Sequence, residues 1–184
     1  MTVRAAYCPR CAAALPSAPP TACRSCGYEL YLNARPTASV VVVDGDRFLA
    51  IRRARAPHRG EWALPGGFCD GWEHPADAAV REAREEVGAD VTLGDLVGMY
   101  VGDYDFQDER LPVLDCFFLA TVANPADLTP DPSEASEMDW FALDAPPRLA
   151  FATMRKAIAD AKQLICRGGG LASGALGKSS AVTT

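Results

Sequence analysis

Between Ser39 and Arg53 the chain reads SVVVVDGDRFLAIRR, two apolar runs separated by Asp44, Gly45 and Asp46. β-Branched runs favour strands and an Asp-Gly step favours a tight reversal, so this stretch is expected to form a hairpin. Further on, VTLGDLVGMYVGDYD and VLDCFFLATVA are two more strand-like runs joined by the polar FQDERLP. Their continuous apolar character predicts burial on both faces. MDWFAL reads as a last short strand, and LAFATMRKAIADAKQLI, from about Leu149, carries apolar residues at helical spacing and predicts a closing helix.

A different period governs His74 to Val87. Pro75 suits the first turn of a helix, where its missing N–H costs nothing, and Gly88 suits the left-handed position that ends one. At about 100° per residue, Ala76, Ala79, Val80, Ala83 and Val87 share one arc, and Glu82, Glu85 and Glu86 share a second, centred roughly 120° away. The alanine arc is expected to pack on a sheet, and the carboxylates to point elsewhere. Strands and two helices in this order predict a sheet clasped between helices.

Three glutamates on a solvated helix face, with Arg81 and Arg84 as ion-pair partners, cost only a few tenths of a kcal/mol, so surface decoration is one reading. In a cleft, two carboxylates about 5 Å apart repel by roughly 3 kcal/mol at an effective dielectric of about 20. Such a cluster needs a cation. Oxygen ligands favour Mg²⁺ or Mn²⁺, and Mg²⁺ recruits substrate phosphates in preference to a full protein shell.

The segment from Gly67 to Ala89 resembles the Nudix box, GX5EX7REUXEEXGU with U aliphatic. Gly67, Glu73, Arg81, Glu82, Glu85, Glu86 and Gly88 stand at the required spacing, with alanine at both aliphatic positions, Ala83 and Ala89. Trp62, shortly before the Pro-Gly-Gly turn, extends the resemblance upstream. It implies an α/β/α sandwich with a mixed sheet and a hydrolase that cleaves nucleoside diphosphates linked to another group through metal-activated water. Glu82, Glu85, Glu86 and the Gly67 carbonyl would be the metal ligands, and Glu73 and Arg81 would orient them. The general base would be a box glutamate or one of Glu134 and Glu137, whose alternative is an acidic loop facing water. The resemblance also implies a homodimer.

A second motif lies at the N-terminus, where Cys8, Cys11, Cys23 and Cys26 form CPRC and CRSC around an alanine- and proline-rich loop. Paired CxxC knuckles supply four soft sulfurs for a tetrahedral Zn²⁺ site, and Gly27 lets the chain turn behind the second pair. Two disulfides are the alternative; the absence of a leader and the scattered Cys69, Cys116 and Cys166 favour reduced thiols and a cytoplasmic protein. A closed four-sulfur site has no open position, so the zinc is expected to be structural.

Composition fits this layout. The 184 residues, 49% hydrophobic and 23% charged, suit a zinc ribbon over 1–35, a Nudix domain over 36–165 and a flexible glycine- and serine-rich tail over 166–184. A net charge of -6 argues against a general nucleic-acid or acidic-membrane binder, and no run is long enough to span a bilayer. Local charge differs: Arg52, Arg53, Arg55, His58 and Arg59 precede the glycine turn, where Arg52, Arg53 and Arg59 could contact substrate phosphates or simply face solvent. Neither His58 nor His74 has the neighbours of a histidine mechanism, and His74 reads as a helix-start residue.

The ribbon-plus-Nudix arrangement is similar to NADH pyrophosphatases, yet their SQPWPFPxS signature is missing. The proline that ADP-ribose hydrolases carry about 16 residues beyond the box is also missing, Asp105 standing near its place, while Tyr104 lies close to where diadenosine polyphosphate hydrolases place a tyrosine. The expected substrate is therefore a small nucleotide, ADP-ribose, NADH or a related dinucleotide. Two rivals are a silent nucleotide sensor that offers its ribbon to a partner and an RNA-end-processing pyrophosphohydrolase. For the latter the ribbon offers only Arg10, Arg24, Tyr28 and Tyr31.

Overall fold

A computed structural model describes residues 5–168; the tail expected over 166–184 lies mostly outside them. The N-terminal unit is a two-stranded ribbon, β1 (Thr21–Ala22) against β2 (Glu29–Leu30), with a bridge between Tyr7 and Ala14. Cys8 and Cys23 each open a tight turn, their carbonyls accepting from the Ala12 and Gly27 amides at 2.9 Å.

The main sheet comprises β3 (Arg35–Asp44), β4 (Arg47–Arg53), β5 (Trp62–Ala63), β6 (Gly66–Phe68), β7 (Val91–Phe106), β8 (Glu109–Val122) and β9 (Ala135–Ala142). Its helices are α1 (Pro75–Val87) and α2 (Ala152–Cys166). The order is β5-β4-β3-β8-β7, with β6 also on β3 and β9 also on β4. The expected hairpin turn is present, with Gly45 at φ 63°. Its strands soon part, however: β3 and β4 pair only at Val43–Phe48 and Asp44–Arg47. β3 then runs parallel to β8 and antiparallel to β6, while β4 turns to β9. The mixed sheet thus divides at β3 and β4, leaving a cleft beside the β6 turn.

Helix α1 begins and ends where its capping residues dictate. His74 Nδ1 accepts from the Ala76 amide at 3.1 Å, and Gly88, at φ 64°, lets its own and the Ala89 amide satisfy the last carbonyls. The helices lie on opposite faces of the sheet. Gly67 is paired with Ala38 and faces Glu82 of α1, whereas the neighbours Thr37 and Ser39 line a cavity with Thr153 and Met154 of α2. β3 lies between them, which accounts for its unbroken valine run: Val40, Val41 and Val42 are fully buried.

Three expectations are corrected. β7 is not buried on both faces; it pairs only with β8 and none of its residues is buried, Met99 and Val101 being 59% and 72% exposed. The expectation is met by β8, its inner neighbour, where Phe117, Phe118, Leu119 and Ala120 are buried. Nor do the α1 carboxylates all point away from the core. Glu86 is only 6% exposed, while Val80 is half-buried and Ala78 takes its place in the core. α2 also starts later than expected: Leu149 forms a bridge with Trp62, and the helix begins at Ala152.

Candidate active site

The box residues meet where the β6 turn approaches α1. Gly66 donates its amide to Glu86 Oε2 at 2.7 Å. A Cβ on Gly67 would lie 2.6 Å from Glu82 Oε1, so a larger residue here would push the carboxylate away from the strand. Arg81 joins the rest. Its Nε and Nη2 grip the two Glu73 oxygens at 2.9 Å each, Nη2 also reaches the Phe68 carbonyl at 3.1 Å, and Nη1 donates to Glu82 at 2.8 Å and Glu85 at 3.0 Å. A planar fork suits this task because it fixes several acceptors in one geometry.

The electrostatics differ across the cluster. Hydrogen bonds from Arg81 and from the Asp70 amide hold the Glu73 carboxyl down at about 2. Burial pushes Glu82 up against the pull of Arg81. Burial also raises Glu86 to about 8, with Glu82 and Glu134 adding to it and the Gly66 amide and Arg53 opposing.

Glu82, Glu85, Glu86, Glu134, Arg53 and Tyr104 line one groove with the Gly66–Phe68 turn, a space of about 350 Å³. Crowded, partly desolvated carboxylates and an all-oxygen donor set fit a hard divalent cation. A pH test follows from linkage. A folded-state value near 8, against 4.5 unperturbed, means that the native protein retains a proton which the unfolded chain releases. Metal-free stability therefore falls as pH rises through that interval, and a cation bound by Glu86 would expel the proton. Melting curves with and without Mg²⁺ should show a larger Mg²⁺ stabilisation at about pH 9 than at about pH 6. Equal shifts would mean that Glu86 does not bind the ion.

The other predicted residues separate. Arg53 reaches the groove, its guanidinium 5.4 Å from the Phe151 ring and its Nε donating to the Pro57 carbonyl at 2.8 Å. Arg52 turns away, to Glu137 Oε1 at 2.8 Å and the Gly60 carbonyl, so neither Arg52 nor Glu137 lines the groove. Glu134 does, half-buried and paired with Arg55 at 2.8 Å. Arg59 is exposed and makes no side-chain hydrogen bond or ion pair among the described residues. Tyr104 meets Phe68 edge-on at 5.2 Å and stacks near Phe151 at 5.9 Å. Phe151 and Phe68 carried no sequence signal beyond being aromatic.

At the N-terminus the Cys8, Cys11, Cys23 and Cys26 sulfurs all lie within 4.8 Å of one another. Cys8–Cys26 and Cys11–Cys23 are separated by 3.7 and 3.6 Å, too far for disulfides and close to the ~3.8 Å edge of a tetrahedron with Zn–S bonds of about 2.3 Å. The Cys26 and Ser25 amides hold the Cys23 thiol down at about 7. Against the lowering pull of the Ala13 amide, the neighbouring thiols push Cys11 up to about 12. Four crowded sulfurs of this kind suit a cation.

Residues 33–161 match the sequence profile of the NUDIX domain. The chain is 32% identical over 124 residues to an ADP-ribose pyrophosphatase of Methanocaldococcus jannaschii, covering 67% of this chain and 71% of that protein. It is 28% identical over 127 residues to the NAD-capped RNA hydrolase NudC of Pseudomonas aeruginosa, covering 69% of this chain but only 43% of that one. Among solved structures, a MutT NUDIX hydrolase from Burkholderia pseudomallei superposes with a TM-score of 0.58 at 28% identity, over 70% of this chain and 98% of that one. A NUDIX hydrolase from Nitrosomonas europaea shares the fold with a TM-score of 0.71 at 23% identity, over 89% and 94%. With the box in register, its residues gathered at one groove and the sheet clasped by two helices, the chain belongs to the Nudix hydrolase family.

Proposed function

We propose that this protein hydrolyses the pyrophosphate bond of a nucleoside diphosphate joined to a second moiety, with ADP-ribose or a related dinucleotide as substrate. The observation that carries the reading is the convergence of Glu82, Glu85, Glu86 and Glu134 on the groove that Arg53 also lines. Magnesium or manganese held by the three box glutamates and the Gly67 carbonyl would neutralise the bridging phosphates and make water a stronger nucleophile. Arg81 is a positioning residue, since its fork is spent on Glu73, Glu82 and Glu85. Arg53 is the cation placed to meet phosphate. Two relatives' names, ADP-ribose pyrophosphatase and NAD-capped RNA hydrolase, point to the same substrate chemistry. The ribbon cysteines hold a structural zinc in this reading.

Glu134 is the general base. It enters the groove from the loop before β9, whereas Glu137 is held outside by Arg52. Glu134→Gln should lower kcat by about 100-fold or more, with Glu137→Gln near wild type. The reverse ranking would reassign the base. Release of phosphorylated products from ADP-ribose, NADH, FAD, diadenosine polyphosphates and nucleoside triphosphates, with Mg²⁺ or Mn²⁺ and beside Glu85→Gln, tests the activity. Turnover of a dinucleotide or ADP-ribose that the variant loses would support it. Tight ADP-ribose binding without turnover would replace it with a nucleotide sensor.

A further inference from the structure

A second cavity opens from the groove on the α2 side of β3 and β8. It shares Arg53, Tyr104 and the Gly66–Phe68 turn with the groove and ends at Thr37, Asp115 and Thr153. Its volume is about 70 Å³, room for the edge of a heterocycle whose sugar and phosphates remain in the groove. The walls are flat and aromatic: Tyr104 and Phe151 lie within 20° of parallel, with Phe68 edge-on to Tyr104. At 5.9 Å those two rings leave no space for a third between them, so a base would lie against the stack.

The floor is polar. Asp115 Oδ1 accepts from Thr37 Oγ1 at 2.5 Å. Oδ2 has no hydrogen-bond or ion-pair partner among the described residues. Gly102 keeps space open beside it: a Cβ there would stand 3.1 Å from Oδ2 and 2.9 Å from Thr153 Cγ2. Asp103, also at this cavity, is exposed and faces Arg110 at 3.9 Å, towards the hairpin tip. A purely structural Asp115, tying β8 to β3 through Thr37, would need one oxygen. The second is open to the cavity and has no protein donor among the described residues, so it is free to accept a hydrogen bond from a ligand.

We propose that this cavity takes the nucleobase of the substrate and that Asp115 selects an exocyclic amino group, such as that of adenine, through Oδ2. A carboxylate only accepts hydrogen bonds, so a base presenting a carbonyl at that position meets repulsion where an amino group is bound. The inference deepens the hydrolase reading by assigning the base, yet it can fail separately because mononucleotide binding requires no turnover.

The test is equilibrium binding of AMP and IMP, which differ by amino against carbonyl on the same purine. Wild-type protein should bind AMP at least about 10-fold more tightly. Asp115→Asn keeps the side-chain shape, and with Thr37 holding its oxygen the amide NH₂ replaces Oδ2. Its preference should vanish or reverse towards IMP. Tyr104→Ala should weaken both ligands alike. Equal affinities of the wild type for AMP and IMP, or an unchanged preference in a folded Asp115→Asn, would overturn the assignment whatever the protein hydrolyses.

Discussion

Glu86→Gln lowers turnover of a dinucleotide substrate by about two orders of magnitude or more while the fold persists. The expectation comes from where Glu86 sits. Of the box glutamates it alone is buried, and it is anchored by the Gly66 amide at 2.7 Å. Glutamine keeps that bond through its amide oxygen, so the β6 turn stays against α1. What it loses is the charge that a cation needs and that burial otherwise opposes. The metal-free variant should therefore melt no lower than wild type and should lose the fall in stability towards alkaline pH. Glu85, whose side chain is 58% exposed and tied to Arg81, offers a contrast: its glutamine variant should lose activity without that change in the pH dependence of melting. Undiminished kcat in Glu86→Gln, with zinc content and fold intact, would mean that the groove does not hold the catalytic ion.

Cys8→Ser should remove the zinc and unfold the ribbon, leaving the Nudix domain folded. In residues 5–34 the only buried side chains are Cys8 and Cys23, both proposed ligands, so no apolar core exists to replace the metal. Two strands of two residues each cannot hold themselves together. Structural zinc supplies on the order of 10–16 kcal/mol in small domains, far more than this ribbon's own contacts. Metal analysis should find one zinc per wild-type chain and none in the variant, and limited proteolysis should remove the N-terminal segment first. A zinc-free variant with an unchanged proteolytic pattern would show that the ribbon does not depend on metal.

Much of the candidate site was legible because its signals are local. Pro75, His74 and Gly88 bound α1 through caps that act within a few residues, and the box spacing gathers its glutamates at one end of the groove by helical geometry. The ribbon cysteines are likewise close in sequence, and their spacing suffices to predict a four-sulfur cluster. Arg52 and Arg53 show where legibility ends. Adjacent residues of a strand face opposite ways, and only the pairing of β4 with β9 decides which arginine meets Glu137 and which enters the groove. Glu134 and Glu137 divide because the first stands in the loop before β9 and the second on the strand opposite Arg52.

By itself the sequence determined the helix with its box, the four-sulfur knuckles and the five longer strands β3, β4, β7, β8 and β9, but not the short β1, β2, β5 and β6, since capping, periodicity and turn chemistry act between near neighbours. Tertiary structure alone decided that β7 is an edge strand, that Glu86 lies inside the core boundary, and that Thr37 and Asp115, 78 positions apart, share a hydrogen bond at the floor of a cavity. Those outcomes depend on which strands lie side by side and what covers each face, and side-chain burial is a property of that arrangement rather than of any segment.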